Sequence, residues 1–160
     1  MRKQQRGFTL IELVIAGSIV VVLTALAIPA YTSYVMRSNR AVARGVLVDL
    51  AAKQEVLRLQ TQSYATTSFV KLNGYDVGSY YINRSASVSQ TVAADSLYQI
   101  SLVATSDCGT AANAGFQLVA TPVSGSPQAR DTQCTSICLG GNGLRKSAPA
   151  KTGTDICWTQ

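Results

Sequence analysis

The residue with the clearest chemical demand is Glu12, a carboxylate inside an apolar segment. It interrupts a run of about 21 residues from Phe8 to Ile28, which as a helix would cross the roughly 30 Å hydrocarbon core of a bilayer. A charged side chain at the centre of a membrane helix costs about 2.5–3.5 kcal/mol on insertion scales. Such a residue usually has a partner of opposite charge, so the sequence predicts an ionic role for Glu12.

A basic leader, residues 1–7, precedes the apolar run and ends at Gly7. A secretory signal has similar parts, including a cleavage site such as Ala25-Leu26-Ala27. A carboxylate in its apolar region would oppose translocation, however, and a plain membrane anchor would leave Glu12 unexplained. Because basic flanks remain in the cytoplasm, we expect the chain after the apolar run to lie outside it.

The cysteines supply a second kind of chemistry, at Cys108, Cys134, Cys138 and Cys157. Four cysteines outside the cytoplasm favour two disulfides, with three connectivities. On one strand, Cys134 and Cys138 would share a sheet face about 13 Å apart, and bridged Cα atoms lie within about 7 Å. That pairing is therefore not expected, while the others stay open. A zinc site built from all four cysteines is an alternative, but the C-x-x-C spacing is absent.

Several catalytic chemistries are excluded by composition. The chain has no histidine, which removes Ser-His-Asp and Cys-His constellations and HExxH zinc sites. It contains neither a P-loop nor a GxGxxG motif, and Gly140-Gly141-Asn142-Gly143 is typical of a turn. We expect no enzyme activity, no cofactor and no metal.

Charge points to one candidate binding surface. The net charge is +6, from 14 basic and 8 acidic residues. Three of the basic residues lie in the leader, so the remaining chain carries +3, and composition alone does not predict nucleic-acid binding. Residues 140–154 form a predicted polar loop without acidic residues, and Arg145, Lys146 and Lys151 in it are the candidate surface for DNA or another partner.

A long helix must carry Glu12. Residues 8 to about 62 predict one helix, in which Pro29 either bends the axis or marks a boundary. After Met36 an apolar stripe appears at helical spacing. Its members are Ala43, Val46, Leu47, Leu50 and Leu57. We assign Arg37, Arg40 and Arg44 to another face, which is either solvated or in contact with other subunits, lipid headgroups or DNA.

A small sheet must carry the cysteines. Alternation and β-branched content predict strands at 97–103, 115–121 and 133–139, with one more short strand between Val77 and Val88. Residues 107–114 and 140–154 are predicted links, and residues 155–158 close the chain. The fold class is α+β, with a long amino-terminal helix packed on an antiparallel sheet of three or four strands.

The motif Gly7-Phe8-Thr9-Leu10-Ile11-Glu12, between a basic leader and about 20 apolar residues, resembles the processing site of type IV prepilins and the related pseudopilins. The resemblance implies the type IV pilin fold, cleavage between Gly7 and Phe8, and N-methylation of Phe8. It also implies that Glu12 neutralises the terminal amine of a neighbouring subunit. Within one chain, Glu12 lies four residues after Phe8, on the same face of the helix. Pro29 would curve the helix.

The resemblance divides the chain into three parts. Residues 1–7 would be the cleaved leader, residues 8–36 the half-helix of the membrane and fibre core, and residues 37–160 the exported globular domain. The segment from Thr121 to Trp158 is similar to the carboxy-terminal region of PilE-type minor pilins of type IVa systems. Bridging of the corresponding cysteines there implies Cys134–Cys157 here and leaves Cys108–Cys138. A bridge over such a loop contributes about 3 kcal/mol.

The implied function is that of a structural, minor pilin subunit, which polymerises through its helix into a retractable fibre for twitching motility, adhesion or DNA uptake. The alternatives are a type II secretion pseudopilin and a pilus-associated adhesin or DNA-binding module. The implied partners are other pilin and minor-pilin subunits, prepilin peptidase, the inner-membrane assembly machinery and, as a candidate, DNA. The chain would span the bacterial inner membrane once, with a periplasmic carboxy terminus, before joining an extracellular pilus.

Overall fold

The computed structural model describes residues 8–65, 78–103, 105–106, 108–110, 115–149 and 155–159. The chain divides into two compact units, Met1–Val35 and Met36–Gln160. The leader, including Gly7, and Lys151 lie outside the described residues. In chain order the elements are α1 (Leu10–Thr61), β1 (Ser79–Ile82), β2 (Val88–Ser89), β3 (Tyr98–Val103), β4 (Thr105–Ser106), β5 (Gly109–Thr110), β6 (Gln117–Pro122), a 3-10 turn (Pro127–Arg130), β7 (Ser136–Gly140), β8 (Arg145–Ala148) and α2 (Ile156–Thr159).

In the first unit, α1 exposes apolar side chains around its whole circumference. Its most apolar window has a mean hydropathy of 2.6, so by length and composition the helix could cross a membrane. Its hydroxyls are satisfied within the helix: Ser18 donates to the Ile15 carbonyl and Thr24 to the Val20 carbonyl, both at 2.8 Å. The helix continues through Pro29, so the alternative of a helix boundary there is wrong.

The second unit contains more strands than the sequence predicted. Its main sheet has six strands in the order β2-β1-β3-β6-β7-β8, and every neighbouring pair is antiparallel. Strands β4 and β5 form a separate hairpin, in which β5 lies within the predicted link 107–114 and β4 lies just before it. Strand β8 lies within the predicted loop 140–154, because its polar side chains hid a segment that pairs with β7 through the backbone.

The core lies between α1 and one face of the sheet. Four helix residues of the predicted stripe, Ala43, Leu47, Leu50 and Leu57, are buried there, while Val46 is only half-buried. The sheet contributes alternate residues of its strands, as expected when one face is covered. They include Tyr98, Ile100, Leu118, Ala120, Ile137 and Leu139.

The separate arginine face predicted for α1 is wrong for Arg40 and Arg44, whereas Arg37 is exposed. Arg40 is only 3% exposed, and its Nε and Nη2 donate to both carboxylate oxygens of Asp131 at 2.6 and 2.7 Å. Arg44 donates from Nη1 to the Trp158 carbonyl at 2.6 Å. The positions 40, 43 and 47 lie three and four residues apart, so Arg40 continues the buried stripe of Ala43 and Leu47.

Asp131 lies just after the 3-10 turn, and its carboxylate organises the loop around it. The Gln128 amide donates to Oδ2 at 2.9 Å, and the backbone N–H groups of Gln133 and Cys134 donate to Oδ1 at 3.2 Å. Gln128 in turn accepts from Asn39 of α1 at 3.0 Å. The buried carboxylate therefore attaches the segment 128–134 to the helix through a network of charged and neutral hydrogen bonds.

Replacing Arg40 with Met should lower the free energy of unfolding by about 3–5 kcal/mol, because it leaves the Asp131 charge buried without its cation. The measurement is urea unfolding of the full chain in detergent micelles. Lys53→Met is the matched control, since Lys53 pairs with Asp49 at 2.8 Å on the exposed side of the same helix. It should cost less than about 1 kcal/mol. Equal effects of the two changes would contradict the role assigned to Arg40.

Tyr98 predicts a pH dependence of stability at alkaline pH. The residue is fully buried, and burial, with a smaller contribution from Asp131, raises the pKa of its phenol above the usual 10.0. Since the unfolded chain ionises first, the stabilisation from neutral Tyr98 is complete below about pH 10 and decreases as the pH rises further.

Above pH 10 the native chain should therefore lose about 1.4 kcal/mol of unfolding free energy per pH unit more than Tyr98→Phe does. The measurement is urea unfolding of both chains across the alkaline range. Parallel pH profiles would show that Tyr98 titrates normally in the folded chain.

Candidate functional site

At its amino-terminal end, α1 begins directly after the predicted processing site. Phe8 is 85% exposed, and Thr9 immediately precedes the first helical residue. The Glu12 backbone N–H donates to the Thr9 hydroxyl oxygen at 3.3 Å. The spacing Thr9-x-x-Glu12 is that of a capping box, and an acidic side chain in the first turn also favours the helix dipole. Glu12 therefore contributes to the start of α1, in addition to the ionic role that the sequence predicts for it.

The structure places the predicted basic surface on a strand at the sheet edge. Arg145 is paired with Leu139, which faces α1, and Lys146 is paired with Cys138, which faces the opposite side of the sheet. Directly paired residues share a face, and successive residues alternate. The predicted loop is therefore a strand at Arg145 and Lys146, and the two exposed side chains lie on opposite faces of the same sheet edge.

Trp158, which the sequence did not assign to the basic surface, connects these basic residues. The Arg145 guanidinium carbon lies over its ring, 5.3 Å from the ring centroid. Its indole Nε1–H donates to the Lys146 carbonyl at 2.9 Å, and its own carbonyl accepts from Arg44. The sequence contained little indication of these contacts, because Arg44 lies 114 residues before Trp158 and no local spacing relates the two residues.

Asp155 fixes the short helix α2 that carries Trp158. Its Oδ1 accepts from the Ser147 hydroxyl of β8 at 2.8 Å and from the Cys157 backbone N–H at 2.9 Å. Its backbone carbonyl also accepts from the N–H of Trp158 at 3.0 Å. These bonds attach the carboxy-terminal turn to the edge strand.

The disulfides are Cys108–Cys138 and Cys134–Cys157, with Cα atoms 6.3 and 5.9 Å apart. This is the pairing implied by the resemblance to minor pilins. The expectation that Cys134 and Cys138 share a sheet face is wrong, because Cys134 precedes β7 and faces the α1 core, whereas Cys138 lies on the opposite face. All four sulfur atoms are bonded to each other in pairs, so no thiolate is free to bind zinc.

The electrostatics of the region are positive. Burial, followed by the charge of Arg40, lowers the pKa of Arg44, but an arginine remains charged at neutral pH. The ion pairs of the described residues involve Arg40, Lys53 and Arg58, and neither Arg145 nor Lys146 belongs to them. Within the same residues, no cluster of carboxylates, histidines and cysteines could hold a metal ion. The exposed edge of β8 is suited to an anionic partner.

Two relatives with fimbrial names match part of the chain. A "Fimbrial protein" of Pseudomonas aeruginosa is 37% identical over 78 residues, which are 48% of this chain and 49% of that protein. A "Type IV major fimbrial protein FimA" of Dichelobacter nodosus is 54% identical over 41 residues, 26% of each chain. The chain spans about half the length, or less, of these curated relatives.

Two family descriptions match the sequence. Residues 2–28 match the prokaryotic N-terminal methylation motif, and this range contains the predicted processing site and most of the exposed apolar helix. Residues 29–138 match the family described as "Type IV minor pilin ComP, DNA uptake sequence receptor". That match extends from Pro29 to Cys138, so it includes the Arg40–Asp131 contact and most of the sheet. Since it covers more than half of the sequence, the chain is a type IV pilin and belongs to the ComP family of minor pilins.

Proposed function

We propose that this chain assembles with other pilin subunits into an extracellular type IV pilus and contributes DNA binding to that fibre. The observation that carries the proposal is a methylation motif continuous with an apolar helix, joined to a disulfide-bonded domain of the ComP family. The fimbrial names of the relatives support a pilus rather than a secretion role. A structural subunit of this kind needs no catalytic group.

Assembly would begin with removal of residues 1–7 between Gly7 and Phe8 by prepilin peptidase, followed by N-methylation of Phe8. The single helix would hold the subunit in the inner membrane, with residues 37–160 in the periplasm, until the assembly machinery transfers it to the fibre. There the exposed apolar surface of residues 8–36 packs against other helices. Glu12 then pairs with the terminal amine of a neighbouring subunit, because either charge alone would be costly in that apolar setting.

Glu12→Ala and Glu12→Gln should both leave membrane insertion unchanged and strongly reduce incorporation into fibres. The glutamine variant separates the two roles of this residue, since glutamine preserves the capping box but removes the charge. The measurement is intact-protein mass spectrometry of sheared fibres and of the membrane fraction, in which the native chain should start at methylated Phe8.

Ser18→Ala is the control for this experiment, because the Ser18 hydroxyl is bonded within its own helix and should not affect assembly. Normal incorporation of Glu12→Gln would mean that helix capping, and not charge, accounts for the residue.

DNA binding would use Arg145 and Lys146 at the β8 edge, together with the predicted residue Lys151, which lies outside the described residues. Arg145 and Lys146 are exposed and take part in none of the ion pairs formed within the described residues. Phosphate contacts by such side chains release counterions and supply most of the sequence-independent affinity for DNA. The family description, "DNA uptake sequence receptor", supports this ligand.

The triple variant Arg145→Ala/Lys146→Ala/Lys151→Ala should bind duplex DNA more weakly than the native chain. The slope of log affinity against log salt should become shallower by about 0.9 for each phosphate contact removed. The measurement is fluorescence anisotropy of a labelled duplex titrated with the full chain in detergent micelles. Lys53→Ala is the control, because Lys53 is already paired with Asp49 on α1. Equal salt slopes for the triple variant and the native chain would exclude this edge as the DNA surface.

A further inference from the structure

The geometry points to separate tasks for the two basic residues of β8: Arg145, held by Trp158, reads guanine in duplex DNA, whereas Lys146 contacts phosphate. This inference rests on the proposed function, since it assigns the base that the same edge recognises. Arg145 is then the specificity-determining residue, and Trp158 is the positioning residue that acts through it.

The Arg145 side chain is exposed, but its contact with Trp158 restricts its orientation. Its guanidinium lies over the Trp158 ring at 5.3 Å from the centroid. Among the residues that the structure describes, no carboxylate forms an ion pair with it. Stacking of a guanidinium on an aromatic face restricts its plane and leaves its edge available.

Trp158 is held through its ring nitrogen and through its backbone. Its Nε1–H bond to the Lys146 carbonyl joins it to β8, and the Arg44 bond to its own carbonyl joins it to α1. The preceding residue, Cys157, is fully buried and is bridged to Cys134. The ring bond to β8 and the two backbone attachments together give the indole, and the guanidinium that lies on it, a defined orientation.

A fixed guanidinium plane favours contact with one base in particular. Guanine presents its O6 and N7 acceptors side by side in the major groove, and an arginine edge binds both at once. Such a contact depends on the plane of the guanidinium, so holding that plane before binding reduces the entropy lost on association. A phosphate is approached productively from many directions and gains less from a fixed plane.

Lys146 provides the contrast within the same strand. It carries a point charge on a flexible stem and faces the opposite side of the sheet edge, where the described residues offer it no carboxylate partner. Its contribution should depend on salt and not on base composition. The two neighbouring residues can therefore be separated by experiment.

The test compares two labelled duplexes of equal length, one of G·C pairs only and one of A·T pairs only, titrated with the full chain in detergent micelles. The native chain should prefer the G·C duplex by about 5- to 150-fold, the usual range for one bidentate arginine–guanine contact. Arg145→Lys keeps the charge but loses the planar edge, so it should strongly reduce this preference, while its A·T affinity and salt slope stay unchanged.

Trp158→Leu should have the same effect as Arg145→Lys, and Trp158→Phe, which preserves a ring, should retain most of the preference. An unchanged A·T affinity of Trp158→Leu shows that the domain is intact, which a purely structural defect would not allow. Because Trp158 is the single tryptophan of the chain, its emission should also change when the native chain binds G·C duplex. Lys146→Ala should weaken binding to both duplexes equally.

The outcomes distinguish this inference from the function on which it rests. Binding of both duplexes with equal affinity, or equal losses on both for Arg145→Lys, would overturn guanine reading and leave DNA binding in place. Full G·C preference in Trp158→Leu would overturn the positioning role of Trp158 alone. Failure of the native chain to bind either duplex at low salt would overturn the proposed DNA function and the inference together.

Discussion

The buried contact between Arg40 and Asp131 is the interaction on which the second unit depends. A buried ion pair contributes little net stability by itself, since desolvation offsets much of the attraction. Its importance here is geometric, because the Asp131 carboxylate also accepts hydrogen bonds from Gln128 and from the backbone at Cys134. Cys134 is bridged to Cys157, next to Trp158. A continuous set of bonds therefore connects the helix to the proposed DNA-binding edge.

The edges of the sheet determine which surface is available to a partner. An exposed edge strand invites pairing with another chain, and proteins usually cover or charge it. Here α2 covers β8, with the Trp158 indole bonded to the Lys146 carbonyl, and the β8 side chains Arg145 and Lys146 are charged. The same arrangement that protects the edge presents two cations beside it. Protection from aggregation and attraction of an anionic ligand thus arise from one local structure.

The first unit obeys a different constraint. A helix that is apolar on all sides needs to be surrounded by lipid or by other helices. In the proposed pathway, membrane lipid surrounds it before assembly, and the helices of other subunits surround it in the fibre. Its start is defined by the hydrogen bond from Glu12 to Thr9. Glu12 lies in the first turn, where its backbone N–H bonds to Thr9 and its carboxylate favours the helix dipole, and its proposed task between subunits also requires the charge.

The sequence by itself determined the features that depend on neighbouring residues. The processing motif, the long helix and the strands near residues 98–103 and 117–122 follow from local spacing and composition. Tertiary structure decided the rest. Arg40 belongs to the core because Asp131 lies opposite it, 91 residues later, and polar β8 is a strand because β7 pairs with it. The contact between Arg145 and Trp158 was equally unpredictable from the sequence, because burial and pairing depend on groups that only the fold brings together.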